Sequence, residues 1–351
     1  MNESGKSLDN ATRERLQALI AGKIILVTGG TGTIGSEIVR QLIPLQPKLI
    51  RILSRDEYKQ SLLRYQFRDL PFLRYLLGDV RDLERLKRAF EGVDLVFHAA
   101  ALKRIEATEY DPLEAVKTNV LGTQNIISAT LESPTAERVV SISTDKAVNV
   151  TSTMGATKLL AERLVTWASF YRRTPHKILC SVRFGNVLDS RGSVIPLWRE
   201  QIRQGEPLTL THRDMRRFFM SIPGAVRLVL KAAAYSTGGE IFILRMKSVF
   251  IRDLAEILIE ELAPRYGRAP ADIPIRITGA TPGEKLDEDL VAPPEAERTF
   301  MIDDEMAVIV PPHRVEEAQW RKLDNFDGYV TSVNTLSKNE LRAYLRDEKL
   351  I

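Results

Sequence analysis

The chain has 351 residues, 44% of them hydrophobic and 27% charged, with a formal net charge of +4. That balance is the one of a folded globular protein, and lysine and arginine are spread along the chain rather than gathered in a run, so nucleic acid is not an expected partner. The single cysteine, Cys180, excludes an intrachain disulfide. No apolar run approaches the ~20 residues of a bilayer span, so no direct membrane insertion is expected. The polar N-terminus is not a secretory signal, which makes the expected location cytoplasmic.

In chain order, residues 1–10 read as an unstructured polar extension and Ala11 to Ala21 as a short helix. The run Ile24–Thr28 predicts a strand. It ends in the glycine turn Gly29-Gly30-Thr31-Gly32-Thr33-Ile34-Gly35, and Ile38, Val39 and Leu42 then fall at helical spacing. Strand, glycine turn and helix together make a dinucleotide site, because glycine lets backbone approach a pyrophosphate and the helix start offers free N–H groups. The spacing Gly29-x-x-Gly32-x-x-Gly35 differs from the simplest fingerprint. Further strands are expected at Leu49–Leu53, Leu73–Leu77, Leu95–His98, Arg138–Ser143 and Ile178–Phe184, and helices at Leu83–Phe90, Pro112–Leu131 and Gly155–Tyr171. This alternation predicts an α/β fold, a Rossmann-type doubly wound parallel sheet. Beyond Arg183 the alternation fails, which predicts a smaller C-terminal substrate-binding lobe. The expected division is an extension at 1–21, a dinucleotide-binding domain at 22–185 with returning segments, a lobe mainly within 186–330, and a C-terminal helix or tail at 331–351.

The strand ends carry the chemistry. Leu53 is followed by Ser54-Arg55-Asp56, about twenty residues past the last glycine, where the fold reads the adenosine ribose. A hydroxyl and a guanidinium suit a 2′-phosphate, favouring NADP, whereas Asp56 keeps NAD open. Asp79 and Val80 end the third strand, Asp79 as a candidate for the adenine amino group or a helix cap. Ala99, Ala100 and Ala101 follow His98, small enough for a cofactor to lie over the sheet edge, and Lys103 comes next. With Gly29, Thr31, Gly32, Thr33, Ile34 and Gly35 these form the candidate cofactor site. No metal site is expected.

The fifth strand ends Ser143-Thr144-Asp145-Lys146, and Met154-Gly155-Ala156-Thr157-Lys158 opens the next helix. Here the sequence resembles the extended short-chain dehydrogenase/reductases, whose mark is a strand-end Ser or Thr and Tyr-x-x-x-Lys on one helix face. Lys158 matches the lysine that holds the nicotinamide ribose, but Met154 stands at the tyrosine position, and a thioether exchanges no proton. Within that family the chain is similar to the UDP-N-acetylglucosamine 4,6-dehydratases of polysaccharide biosynthesis. The carriers run from Ser54-Arg55-Asp56-Glu57 through Gly78-Asp79-Val80-Arg81-Asp82, Thr118-Asn119-Val120-Leu121-Gly122-Thr123, Arg183-Phe184-Gly185-Asn186 and Ser190-Arg191-Gly192-Ser193 to Met215-Arg216-Arg217-Phe218-Phe219 and Pro282-Gly283-Glu284-Lys285-Leu286. Methionine at the tyrosine position goes with retention at C5, and the Ser-Arg-Asp-Glu strand end with members that more often carry tyrosine and invert. The resemblance leaves the configuration open.

The resemblance implies C4 oxidation, loss of the acidified C5 proton, departure of the C6 hydroxyl as water, and return of the hydride to C6, with the cofactor bound and recycled throughout. Asp145 would be the acid toward C6 and Lys146, held neutral, the base at C5. Thr144 would hydrogen-bond O4 and relay its proton. Asn119 joins the cofactor set. Arg191, Arg216 and Arg217 are expected on the UDP-sugar diphosphate, with Asn186 near the pyrophosphate and Glu284 on the uridine ribose. Helices Pro112–Leu131 and Gly155–Tyr171 are those that dimerise in the family, implying a homo-oligomer. Two other readings remain: a nucleotide-sugar 4-epimerase or reductase, which needs no elimination, and a non-catalytic NADP-binding protein.

Overall fold

In the computed structural model, residues 8–68, 70–170 and 176–351 are described. The expectation for the first seven residues, and the end of the helix expected to reach Tyr171, lie outside them. The N-terminal half alternates as the hydrophobic runs require: α1 (Asn10–Ile20), β1 (Ile24–Thr28), α2 (Thr33–Leu42), β2 (Leu49–Ser54), α3 (Glu57–Gln66), β3 (Leu73–Leu77), α4 (Leu83–Phe90) and β4 (Leu95–His98). Then follow α5 (Ile105–Tyr110), α6 (Pro112–Ala115), α7 (Gly122–Glu132), β5 (Arg138–Ile142), α8 (Thr153–Ala168) and β6 (Ile178–Arg183). Side-chain oxygens set several of the helix starts: Asp56 caps α3, Asp82 caps α4 and Ser152 caps α8. The helix expected over Pro112–Leu131 is not uniform. Between α6 and α7 it widens into a π-helical stretch at Val116–Leu121, which presents Asn119 to the loop after β4.

The C-terminal half of the chain begins with β7 (Asn186–Val187), α9 (Val194–Gln204), β8 (Leu208–Leu210), β9 (Arg216–Met220) and α10 (Ile222–Tyr235). It continues through β10 (Ile241–Leu244), β11 (Lys247–Phe250), α11 (Ile251–Leu262) and β12 (Ile275–Ile277) to β13 (Thr299–Asp303), β14 (Met306–Ile309), β15 (Arg321–Lys322) and α12 (Lys338–Asp347).

The main sheet has ten strands in the order β15-β13-β14-β10-β6-β5-β4-β1-β2-β3. From β3 to β10 neighbouring strands are parallel, whereas β14, β13 and β15 are joined antiparallel. The order 3-2-1-4-5-6 reverses between β1 and β4, which is where such a sheet opens a crevice at its carboxyl ends. Strands β1, β4 and β6 are buried along nearly their whole length, as a sheet covered on both faces demands. Cys180 is part of that core. A separate apolar core fills the lobe around Trp198, Phe219, Leu254 and Leu258. Helix α12 belongs to this core rather than to a loose tail. Leu341 and Leu345 are buried in it, and Lys338, Arg342 and Arg346 pair with Glu256, Glu260 and Glu261 of α11.

Candidate active site

Two hydrogen bonds fix the carboxyl ends of β1 and β4 relative to each other and to α7. His98 Nδ1 lies 2.7 Å from Thr28 Oγ1, and its Nε2 lies 3.2 Å from Thr123 Oγ1. Burial, with Lys158 nearby, depresses the imidazole pKa to about 3, so this histidine is a neutral structural link. Above it the glycine turn is packed without slack. Gly29 has φ +63°, and a Cβ there would sit 2.7 Å from the Ala100 nitrogen. A Cβ on Gly35 would come within 2.3 Å of the Gly29 carbonyl. Gly32 is the N-cap of α2 and supplies no side-chain acceptor, which leaves the first N–H groups of that helix for an anion. This cradle fits the pyrophosphate of a dinucleotide.

The remaining candidate cofactor residues divide by what they touch. Thr31 Oγ1 and Ser54 Oγ are 2.7 Å apart, joining the turn to the end of β2. Arg55 is half-exposed and 3.5 Å from Asp79. Asp79 also accepts from Arg81, at 2.7 Å from its Nη2, and these bonds hold its carboxyl below the ordinary range against a burial penalty that pushes the other way. The helix cap considered for Asp79 falls to Asp82 instead. Asp56, the residue that kept NAD open, caps α3 and pairs with Lys59. Val80 is buried under the third strand end, and Ala99–Ala101 line the edge of β4. Asn119 is 1% exposed, and its carboxamide is taken up within the protein. Its Oδ1 accepts from Leu102 N at 2.8 Å, while its Nδ2 donates to the Leu102 carbonyl at 3.0 Å and to Thr157 Oγ1 at 3.0 Å. Its part is therefore to hold the loop after β4 against α8, not to offer both amide protons to a cofactor.

On α8, Met154 and Lys158 share a face and both are buried. The Lys158 ammonium donates to the carbonyl of Ile142, the last residue of β5, and burial lowers its pKa to about 8 despite Glu162 one turn on. Glu109 of α5 accepts from the backbone N of Thr153 at 2.6 Å. This carboxylate ties α5 to the first turn of α8.

The turn after β5 places Thr144, Asp145 and Lys146 together. Asp145 is fully buried. Its Oδ1 accepts from Thr144 Oγ1 at 2.9 Å and from Lys146 Nζ at 3.0 Å. Its Oδ2 meets no hydrogen-bond donor among the described residues, a costly state for a buried carboxylate oxygen. Gly185 makes room for it: a Cβ there would lie 2.9 Å from that same oxygen. Lys146 also donates to Asn186 Oδ1 at 3.3 Å and lies 3.6 Å from Glu288 Oε1. Burial opposes its charge, but Asp145 and Glu288 outweigh burial and hold the ammonium above its ordinary range. The neutral lysine expected from the sequence is thus not the resting form, because two carboxylates surround it and Lys158 is engaged elsewhere.

The three arginines expected on one diphosphate have different partners. Arg191 reaches back to the glycine turn, with Nη2 donating to the Thr31 carbonyl at 2.7 Å and its backbone N to Thr33 Oγ1 at 3.2 Å. Arg216 stacks 4.8 Å over Phe250 and contacts Asp287 at 3.3 Å. Arg217 donates to the Lys285 carbonyl at 2.9 Å and lies 4.0 Å from Glu288. Glu284 folds onto its own turn and accepts from Thr281. The cation group at the cofactor mouth is instead Lys103, Arg104 and Arg191. Burial and the neighbouring Arg104 and Arg191 lower the Lys103 pKa, and Arg104 covers Gly192. Arg104, beside a lysine already singled out, and Glu288, a turn beyond Lys285, are the residues sequence reasoning missed. Behind the site, Arg183 is clamped between Glu162 of α8 at 2.6 Å and Glu295 at 2.8 Å, all three buried.

Comparison with known proteins places this arrangement. Residues 25–310 match the family model described as "Polysaccharide biosynthesis protein". The chain belongs to that family. It has the extended short-chain dehydrogenase/reductase fold. An uncharacterized membrane protein of Methanocaldococcus jannaschii is 54% identical over 82% of this chain and 86% of its own. A UDP-glucose 4-epimerase of Rickettsia canadensis is 40% identical over 78% of this chain and 79% of its own. The solved structure of Pen from Bacillus thuringiensis shares 40% identity, covers 95% of this chain and 99% of that one, and superposes with a TM-score of 0.88. Among the described residues no helix is long and apolar enough to cross a membrane.

Proposed function

We propose that this protein is a UDP-N-acetylglucosamine 4,6-dehydratase that forms a 4-keto-6-deoxy sugar nucleotide for glycan assembly, with NADP bound and recycled. The observation that carries the reading is the buried pair Asp145–Lys146, with Asp145 Oδ2 left without a partner at the end of β5. An elimination between C5 and C6 needs an acid toward the C6 hydroxyl and a base at C5, beyond the group that takes the C4 hydroxyl proton, and an epimerisation at C4 needs only the last. When bound, the cofactor takes a hydride from C4 and returns it to C6. Lys158 holds the nicotinamide ribose. Thr144, beside Asp145, accepts the hydrogen bond of the C4 hydroxyl and passes its proton to a water, which answers for the missing tyrosine at Met154. Gly29, Gly32 and Gly35 seat the cofactor pyrophosphate, while Ser54 and Arg55 favour NADP over NAD. Lys103, Arg104 and Arg191 face the phosphates, and a homo-oligomer is the expected assembly.

A second reading, a UDP-sugar 4-epimerase, is favoured by the name of the Rickettsia relative. The two are separated by the Asp145→Asn variant. Loss of product with reduced cofactor accumulating supports the dehydratase, and undiminished turnover selects the epimerase.

A further inference from the structure

Three oxygens surround the Lys146 ammonium, each from a different segment: Asp145 Oδ1 at 3.0 Å, Asn186 Oδ1 at 3.3 Å and Glu288 Oε1 at 3.6 Å. The first two accept hydrogen bonds and the third is an ion-pair neighbour, an environment that suits an ammonium rather than a neutral amine. Glu288 is itself 1% exposed and held from both sides. Lys285 Nζ lies 2.8 Å from its Oε2, and Arg217 Nε 4.0 Å from its Oε1. Its main chain is fixed by Thr331, whose Oγ1 accepts from Glu288 N at 2.8 Å and whose N donates to the Glu288 carbonyl at 3.0 Å. Asp287 beside it pairs with Arg216 instead.

We infer that Glu288 is the positioning residue of this site, which holds Lys146 as a cation against Asp145 until a proton passes between the two. The inference rests on the dehydratase reading. In that step the Lys146 Nζ–H bond breaks and an Asp145 O–H bond forms across their 3.0 Å hydrogen bond. One ion pair becomes one amine and one carboxylic acid, with no change in net charge. That neutral pair is the base and acid the elimination requires, so both roles come from a single internal transfer. Glu288 does not touch the sugar. It sets how readily the transfer occurs, and Lys285 and Arg217 hold Glu288 in place.

The test is a pH titration of the full-length protein labelled with carbon-13 at the lysine Cε, the Lys146 resonance being assigned by its loss in Lys146→Arg. In Glu288→Gln the midpoint of Lys146 is expected to fall by ~1 pH unit or more, the effect of removing one opposite charge at this range. Glu288→Asp, which keeps the charge, should stay near the parent. The alkaline limb of the kcat profile for UDP-N-acetylglucosamine should move the same way in Glu288→Gln. A Lys146 midpoint unchanged in Glu288→Gln, with only stability or kcat reduced, would overturn the inference. If the parent protein makes no dehydrated sugar, the dehydratase reading fails, while the titration still decides the role of Glu288.

Discussion

Acid should weaken this fold through one residue, His98. Its ring is buried between Thr28 and Thr123 with a pKa near 3, whereas an unfolded histidine titrates near 6.5. The folded value is the lower one, so on acidification the unfolded chain takes up the proton first. The contribution is therefore fully present above the unfolded pKa and is lost as pH falls from there toward the folded value. The gap amounts to about 5 kcal/mol across the whole window, of which about 2 kcal/mol falls between pH 7 and pH 5. Urea unfolding followed by circular dichroism at those two pH values, for the parent and for His98→Asn, isolates this share from that of the carboxylates. The parent should lose about 2 kcal/mol more than the variant over that interval. Equal losses, or a His98 ring resonance that titrates near neutrality in the folded protein, would refute the reasoning.

Other perturbations address the site and its frame. Gly35→Ala drives a methyl group into the Gly29 carbonyl and should abolish retention of the nicotinamide cofactor through gel filtration, with circular dichroism checking that the chain still folds. Arg191→Ala cuts the tie between the loop after β7 and the Thr31 carbonyl. Loss of a charged hydrogen bond of about 1.5–3 kcal/mol should speed cofactor release roughly 10- to 100-fold in a stopped-flow chase. Arg183→Met strands two buried carboxylates and should cost about 3–5 kcal/mol in denaturant unfolding, whereas Arg203→Met, on an exposed pair, should cost less than about 1 kcal/mol.

The parallel sheet was legible because its strands are short apolar runs, and β1, β3, β4 and α4 begin and end where the hydrophobic pattern does. The π-helical stretch at Val116–Leu121 was not, since it depends on Asn119 reaching the main chain of Leu102, a contact across the fold. The same holds for charge. Asp145-Lys146 could be read from adjacency, but the second carboxylate beside Lys146 comes from Glu288, far along the chain, and no local pattern brings the two together. Arg191 lies far along the chain from the glycine turn yet bonds to it, a contact that sequence position alone does not show. Methionine for tyrosine at position 154 was plain in the sequence. The geometry adds that Thr144 donates to Asp145 at the end of β5.

The central claim is tested most directly by incubating the purified protein with UDP-N-acetylglucosamine in heavy water and reading the product by mass spectrometry and NMR. The account predicts a sugar nucleotide that has lost one water, with deuterium at C5 and the hydride from C4 now at C6. A product of unchanged mass, inverted at C4 and free of deuterium at C5, would contradict it and make the protein an epimerase.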